Sequence, residues 1–188
     1  YPYTDDGERR WQPFTDWPDP WVLVGALSAV TERLKFVTTV YIPAMRDPYS
    51  AAKSIGTAAC LSHGRVELGV GVGWCEEEIG LLGQSFARRG RRTDEMLTLM
   101  KALWEPGWTE FDGEFFQTPR LEMTPTPPRI PVYAGGLSDV ALRRAARNAM
   151  PAARYCWCCR IVPPCRSPVW MSRRCWSMPA SRPPPTSG

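Results

Sequence analysis

The sequence is nearly without histidine and contains no long apolar run, and these two shortages exclude several classes of protein. His63 is the only histidine among 188 residues, so a histidine-rich metal centre is excluded. No apolar run reaches the roughly 18 residues that a transmembrane helix requires, so we expect no membrane association. The first residues, YPYTDDGERR, lack the charged and then apolar pattern of a signal peptide. We therefore expect a cytoplasmic protein.

Acidic residues and lysine are missing from the last part of the chain. Residues 150–188 hold six arginines and no lysine, aspartate or glutamate, whereas residues 1–149 carry a net charge of −2. The overall charge of +4 therefore comes from this tail alone. A basic segment can bind nucleic acid, but this one has neither helical periodicity nor lysine. We expect no nucleic-acid partner and keep a basic-tail binding protein as the weaker alternative.

The cysteines of residues 1–149 form no Cys-x-x-Cys motif. Cys60 and Cys75 stand alone in apolar or helical surroundings, as in a reduced intracellular protein. The remaining cysteines crowd into the tail: Cys156, Cys158, Cys159, Cys165 and Cys175. Their Cys-x-Cys-Cys spacing, with no histidine nearby, does not match a zinc site, so we expect no metal.

The tail also lacks hydrophobic periodicity and is enriched in arginine, proline, cysteine, tryptophan and serine. This composition fits no structural class well. Our hypothesis is that the tail is translated in a different reading frame or results from an equivalent gene error. We therefore divide the chain into an α/β domain at residues 1–149 and an irregular tail at residues 150–188.

The segment Arg65 to Trp74, RVELGVGVGW, is the strongest positive feature of the sequence. Its valines and leucine alternate with Glu67 and glycines. This pattern is typical of a buried strand whose backbone is closely approached by another group at its end. A dinucleotide-binding fingerprint does not fit, because its third glycine would fall on Trp74 or Glu76. The glycines indicate either a ligand at the strand end or close packing against neighbouring strands.

Two Asp-Pro pairs predict helix starts before and after a β-branched run. Asp19-Pro20 opens a helix to about Arg33, and Asp47-Pro48 opens another that ends at His63-Gly64. The expected inward residues of the first helix are Trp21, Val24, Leu27 and Val30, and those of the second are Ala51, Ile55, Ala58 and Leu61. Residues 35–42 form a strand between the helices, so this strand, the second helix and the glycine strand make a βαβ unit with parallel strands. His63 is more often a capping residue than a catalytic one at such a helix end.

Downstream of the glycine strand, Cys75 begins a helix, and residues 93–104 predict a second, amphipathic one. The expected inward residues of the amphipathic helix are Met96, Leu97, Met100 and Leu103. The arginines just before it, Arg88, Arg89, Arg91 and Arg92, favour a solvated face over an anion site. Residues 110–116 predict a hairpin that turns on Asp112-Gly113, and residues 130–134 predict a third strand.

A second glycine turn, Gly135-Gly136-Leu137-Ser138, follows this third strand. Ser138 can cap a helix over residues 139–148, and amides at a helix N-terminus favour phosphate. The turn therefore indicates either a phosphate site or an ordinary left-handed turn with a serine cap.

Four segments stand in a characteristic order and spacing: TERLKFVTTVYIPAMRDP, LSHGRVELGVGVGW, the Arg-Arg-Thr-Asp-Glu-Met helix and IPVYAGGLSDVALRRAAR. Over residues 1–149 the chain resembles the luciferase-like oxidoreductases, closest to the deazaflavin-dependent branch. The resemblance implies a (β/α)8 barrel, of which about three βα units are present here, and a cofactor across the carboxyl ends of the strands. The implied cofactor is coenzyme F-420 or FMN. We therefore expect a fragment of such an enzyme, with a non-catalytic remnant as the alternative.

The resemblance also implies which residues hold the cofactor. Thr39, Val40 and Ile42 would lie beneath its ring system, where the family often bends the backbone at a strand end. Thr39 and Val40 also suit plain strand core. The ribityl and phosphate side would be lined by Val72, Gly73 and Trp74, with Glu77 near it, and phosphate would be cradled by Gly135, Gly136 and Ser138. The implied reaction on a small-molecule substrate is hydride transfer or oxygen insertion, and intact relatives would form homodimers.

Overall fold

The computed structural model describes residues 16–136 and 138–148. Their helices and strands are, in order, α1 (Pro20–Ala29), β1 (Phe36–Val37), α2 (Pro48–Leu61), β2 (Val66–Val70), α3 (Glu76–Leu81), α4 (Arg89–Trp104), β3 (Trp108–Asp112), β4 (Gln117–Glu122), β5 (Val132–Ala134) and α5 (Asp139–Asn148). A short 3-10 turn spans Pro43–Met45.

The parallel sheet has the order β1-β2-β5, and the hairpin β3-β4 lies outside it. Phe36 pairs with Val66 and Leu68 pairs with Val132, in both cases in parallel. The predicted βαβ unit is therefore confirmed. Strands β1, β2 and β5 alternate with helices and adjoin in chain order, as consecutive βα units of a (β/α)8 barrel do. The α/β fold class expected from the sequence is confirmed.

The core lies between one face of the sheet and helices α2 and α4. Val66, Leu68 and Val70 of β2 are almost fully buried. The predicted inward residues of α4 are confirmed, because all four are at most 1% exposed. Burying each such side chain stabilises the folded state by roughly 1.5–3 kcal/mol relative to leaving it exposed to water. The indole Nε1 of Trp104 donates to the carbonyl of Ala52 at 2.9 Å, which ties α4 to α2.

Both Asp-Pro pairs begin helices as predicted. The Asp19 carboxylate accepts from the amides of Trp21 and Val22, and the Asp47 carboxylate accepts from the amide of Ser50. These bonds satisfy amides that a helix start otherwise leaves without partners.

The first helix is shorter than predicted, ending at Ala29 instead of near Arg33. The amide of Val30 donates to the Leu27 carbonyl at 3.3 Å, three residues back, and the Thr31 hydroxyl donates to the same carbonyl at 2.6 Å. Val30, expected in the core, is 79% exposed because it lies beyond the helix end.

The second helix ends as predicted. His63 and Gly64 have φ values of 53° and 78°, and the Gly64 amide donates to the Ala59 carbonyl at 2.9 Å. His63 is exposed, and its amide donates to the Cys60 carbonyl at 3.0 Å, as expected of a residue that follows a helix end. Leu61, expected on the inward face, is exposed.

Several element boundaries differ from the prediction. The glycine strand ends at Val70, β5 begins at Val132, and α4 begins four residues early at Arg89. The hairpin forms around residues 113–116, as expected from Asp112-Gly113. The largest difference is at β1, where regular pairing stops after Val37 although the β-branched run continues to Ile42.

Candidate functional site

A bulge at the end of β1 is the first element of the site. Paired residues differ by 30 in number at Phe36 and Val66 but by 29 at Tyr41 and Val70, so the β1 side contains one extra residue. The Thr38 hydroxyl bridges the gap, accepting from the Gly69 amide at 3.0 Å and donating to the Gly69 carbonyl at 2.8 Å. A side chain thus replaces part of the sheet ladder where the backbone bends.

The bulge brings Thr39 and Val40 to the surface. Both are exposed, Val40 by 46%, so the interpretation of these residues as strand core is wrong. The peptide bond between them is cis. Tyr41 returns to the sheet, with its amide donating to the Gly69 carbonyl at 2.8 Å and its carbonyl accepting from the Gly71 amide at 2.9 Å.

Val40 lies between the two glycine segments predicted to hold a ligand. A Cβ atom at Gly71 would lie 2.7 Å from Cγ2 of Val40, and one at Gly135 would lie 3.6 Å from Cγ1 of the same side chain. The Gly135 amide also donates to the Val70 carbonyl at 2.8 Å. The segments after β2 and β5 therefore open on the same side of the sheet, next to an exposed apolar side chain.

The turn after β2 packs against the loop after β1. Gly73 has φ +83°, which favours glycine, and a Cβ atom there would lie 3.1 Å from Cγ2 of Ile42 and 3.3 Å from Cδ1 of Ile79. Ile42 is half-buried, so it supports this turn from behind. Val72 is also half-buried, and Trp74 is 60% exposed at the edge of the crevice.

The start of α3 gives the β2 side of the site an acidic edge. Glu76, Glu77 and Glu78 form its first turn, and the Glu77 carboxylate accepts from the buried Cys75 thiol at 3.2 Å. Burial raises the pKa of the Cys75 thiol, which keeps the thiol protonated near neutral pH.

The turn after β5 leads directly into α5. Gly136 has φ +129°, and a Cβ atom there would lie 2.6 Å from Cβ of Ala141, so both conformation and space favour glycine. The Ser138 hydroxyl accepts from the Ala141 amide at 3.2 Å, which confirms the predicted cap. Leu137, which belongs to the predicted turn, lies outside the described residues.

The arginine run before α4 differs from the predicted solvated face. Arg88 and Arg91 are exposed and pair with Glu114, as a solvated face would. Arg89 and Arg92 are half-buried and donate to backbone carbonyls of the loops after β2 and β1. The sequence contained one signal for this shared role: Arg89 and Arg92 are three residues apart, which puts both on the same face of a helix.

Within residues 16–136 and 138–148, no group of three or more histidine, cysteine, aspartate or glutamate side chains could hold a metal ion. Over the same described part of the chain, the helices are too short or too polar to cross a bilayer.

Most of the sequence matches one known protein family. Residues 6–153 match the family described as luciferase-like monooxygenase. This chain belongs to the luciferase-like monooxygenase family. An uncharacterised family relative from Mycobacterium tuberculosis is 43% identical over 148 residues, which are 78% of this chain and 51% of the relative. The F420-dependent glucose-6-phosphate dehydrogenase of Nocardia farcinica is 35% identical over 130 residues, 66% of this chain and 39% of the enzyme.

Solved structures of oxidoreductases have a similar fold. An F420-dependent secondary alcohol dehydrogenase, in complex with an F420-acetone adduct, superposes with a TM-score of 0.63 and 25% identity over 78% of this chain and 44% of that chain. Monooxygenase RslO1 from Streptomyces bottropensis superposes with a TM-score of 0.62 and 26% identity over 69% of this chain and 41% of that chain. The chain spans about half the length of the M. tuberculosis relative, and less of the structural ones.

Proposed function

We propose that this chain belongs to an oxidoreductase that binds coenzyme F-420 or FMN in the crevice at the carboxyl ends of β1, β2 and β5. The position of Val40 carries the proposal. Its side chain is exposed and lies beside Gly71 and Gly135, where added Cβ atoms would lie only 2.7 and 3.6 Å away. An apolar side chain flanked by glycines suits a flat ring that must approach the backbone closely.

The remaining residues fit the other parts of such a cofactor. Gly135, Gly136 and Ser138 precede the ten-residue helix α5, whose N-terminal dipole favours a phosphate. Val72, Gly73 and Trp74 would line the ribityl side. Glu77, with its carboxylate in the first turn of α3, would accept hydrogen bonds from ribityl hydroxyls and not contact the phosphate.

When bound, the cofactor would supply hydride transfer or, for reduced FMN, oxygen activation. The protein would contribute position and water exclusion. Thr39 and Val40 would support one face of the ring, and Trp74 would cover the crevice edge. A small-molecule substrate would then approach the opposite face of the ring.

Coenzyme F-420 is the first choice, because the Nocardia farcinica relative, at 35% identity, is named as F420-dependent. The solved F420-dependent alcohol dehydrogenase supports the same choice, at 25% identity. FMN is the second cofactor in this proposal.

The test is titration of the purified chain with each cofactor, followed by fluorescence. We expect saturable binding that is weaker than that of a relative of full length. Gly71→Ala should weaken binding about tenfold or more, because the new methyl group displaces Val40. Gly80→Ala is the matched control, since no atom lies within 4 Å of its added Cβ.

A wild-type chain that unfolds cooperatively but binds neither cofactor would refute the proposal and favour a non-catalytic remnant. Equal affinity of the Gly71→Ala and Gly80→Ala variants would refute the assignment of the crevice.

A further inference from the structure

We propose that Arg89 and Arg92 are positioning residues that hold the two loops of the crevice at a fixed spacing. This proposal rests on the proposed function, because the ligand of the crevice is the cofactor named there. The contacts that hold the two loops do not depend on that ligand. Both arginines lie on α4, outside the crevice that Val40 and the glycines form.

Arg89 holds the turn after β2. Its Nε donates to the carbonyl of Gly73 at 3.0 Å, and its Nη1 donates to the carbonyl of Phe86 at 2.7 Å. Its guanidinium carbon lies 3.6 Å from the centre of the Phe86 ring. The guanidinium is thus oriented by a stacked ring and a second acceptor, and it delivers one charge-assisted hydrogen bond to Gly73.

Arg92 holds the loop after β1 in the same manner. Its Nε donates to the carbonyl of Ala44 at 3.2 Å, and its Nη2 donates to the carbonyl of Arg46 at 3.4 Å. Its guanidinium carbon lies 4.5 Å from the centre of the Phe116 ring. Ala44 is fully buried, so its carbonyl needs a protein partner, and Arg92 supplies one.

The two held loops contact each other directly below the crevice. Ile42, just before the 3-10 turn, lies against the positions of Gly71 and Gly73. A shift of either loop would therefore move Ile42 against the glycine turn and alter the space beside Val40. Because one rigid helix carries both arginines, three residues apart, it sets the spacing of the two loops.

The same helix provides matched controls. Arg91 is exposed and contacts Glu114, which lies in the hairpin and outside the crevice. A substitution at Arg91 removes the same charge from the same helix without touching either loop.

The experiment is amide hydrogen exchange of the complete chain, read by peptide mass, for wild type, Arg89→Met, Arg89→Lys, Arg92→Met and Arg91→Met. Arg89→Met should speed exchange in residues 71–75 about tenfold or more, since a charge-assisted bond is lost. Arg92→Met should do the same in residues 42–46. Arg91→Met should leave both segments at the wild-type rate. Arg89→Lys should be intermediate, because lysine retains charge but not the planar fork.

Cofactor affinity measured on the same variants should fall for Arg89→Met and Arg92→Met and stay unchanged for Arg91→Met. Unchanged exchange in both loops would overturn the inference. An equal increase across residues 66–70 would also overturn it, because it would reveal a general loss of stability. Loops that loosen locally in a protein that binds neither cofactor would support the inference and refute the proposed function.

Discussion

A Cβ atom on Gly69 would lie 2.1 Å from the carbonyl oxygen of Thr38. The backbone of β1 therefore approaches β2 so closely that only glycine fits. The same approach lets the Thr38 hydroxyl bond to both the amide and the carbonyl of Gly69. This pair stabilises the bulge that brings Val40 to the surface, so the geometry of the crevice depends on it.

Substitutions in this pair should destabilise the sheet. Gly69→Ala should lower the free energy of unfolding by about 3 kcal/mol or more, because backbone has to move to admit the methyl group. Thr38→Val should lower it by about 1–2 kcal/mol, since it removes both hydroxyl bonds at nearly constant shape. Urea unfolding measures both values.

Thr98→Val is the control for the valine substitution. The Thr98 hydroxyl is exposed and donates only within its own helix, to the Asp94 carbonyl. A Thr38→Val variant as stable as Thr98→Val would contradict the role of the bridging hydroxyl.

Glu95 should stabilise the hairpin turn. Its carboxylate accepts from the amides of Glu114, Phe115 and Phe116 at 2.8–2.9 Å. Glu95→Ala should therefore cost about 2–3 kcal/mol of unfolding free energy, because three amides lose a charged acceptor. Exchange at residues 114–116 should rise in the same variant. Glu110 of β3 is exposed, so Glu110→Gln should change neither quantity. A similar loss of unfolding free energy in both variants would argue against a specific anchor.

Ion pairs on the two sides of α4 should differ in their contribution to stability. Arg144 is 6% exposed and donates to the Asp94 carboxylate through Nη2 at 3.2 Å. The guanidinium lies against Gly90, where an added Cβ atom would be 2.9 Å from Nη2. Arg144→Met should cost about 1–3 kcal/mol, less than for a fully buried pair because Asp94 is partly exposed.

Arg91→Met should cost at most about 1 kcal/mol, since the side chain and its partner Glu114 are both exposed. Thermal or urea unfolding measures the difference. Equal costs for Arg144→Met and Arg91→Met would contradict the importance of the link between α4 and α5.

The two cysteines of the described residues should differ in reactivity. Cys75 is buried and burial raises the pKa of its thiol, so little thiolate is present at neutral pH. Cys60 is only half-buried. Alkylation followed by peptide mass mapping should therefore modify Cys60 first, and the rate at Cys75 should rise as pH approaches the raised pKa. In urea the two rates should converge. Faster alkylation of Cys75 than of Cys60 in the folded chain would contradict this environment.

Local features of the fold could be predicted well. Asp19 and Asp47 cap helices because capping involves neighbours in sequence. Helical periodicity puts four apolar residues of α4 on one side, facing the core: Met96, Leu97, Met100 and Leu103. The position of both glycine turns at one edge of the sheet could also be predicted, because the carboxyl ends of parallel strands lie at the same edge. The early end of α1 was not predicted, because neither glycine nor proline stands between Ala29 and Pro43 to mark it.

The sequence alone determined the α/β class, the parallel βαβ unit and the glycine positions at two strand ends, since these depend on periodicity and short-range turn chemistry. The tertiary structure alone decided the bulge after Val37 and the roles of Arg89 and Arg92. The register of β1 is set by a hydroxyl bond to a residue 31 positions away, and the acceptors of both arginines come from other loops. Such long-range backbone contacts leave no periodic pattern in the residues that make them.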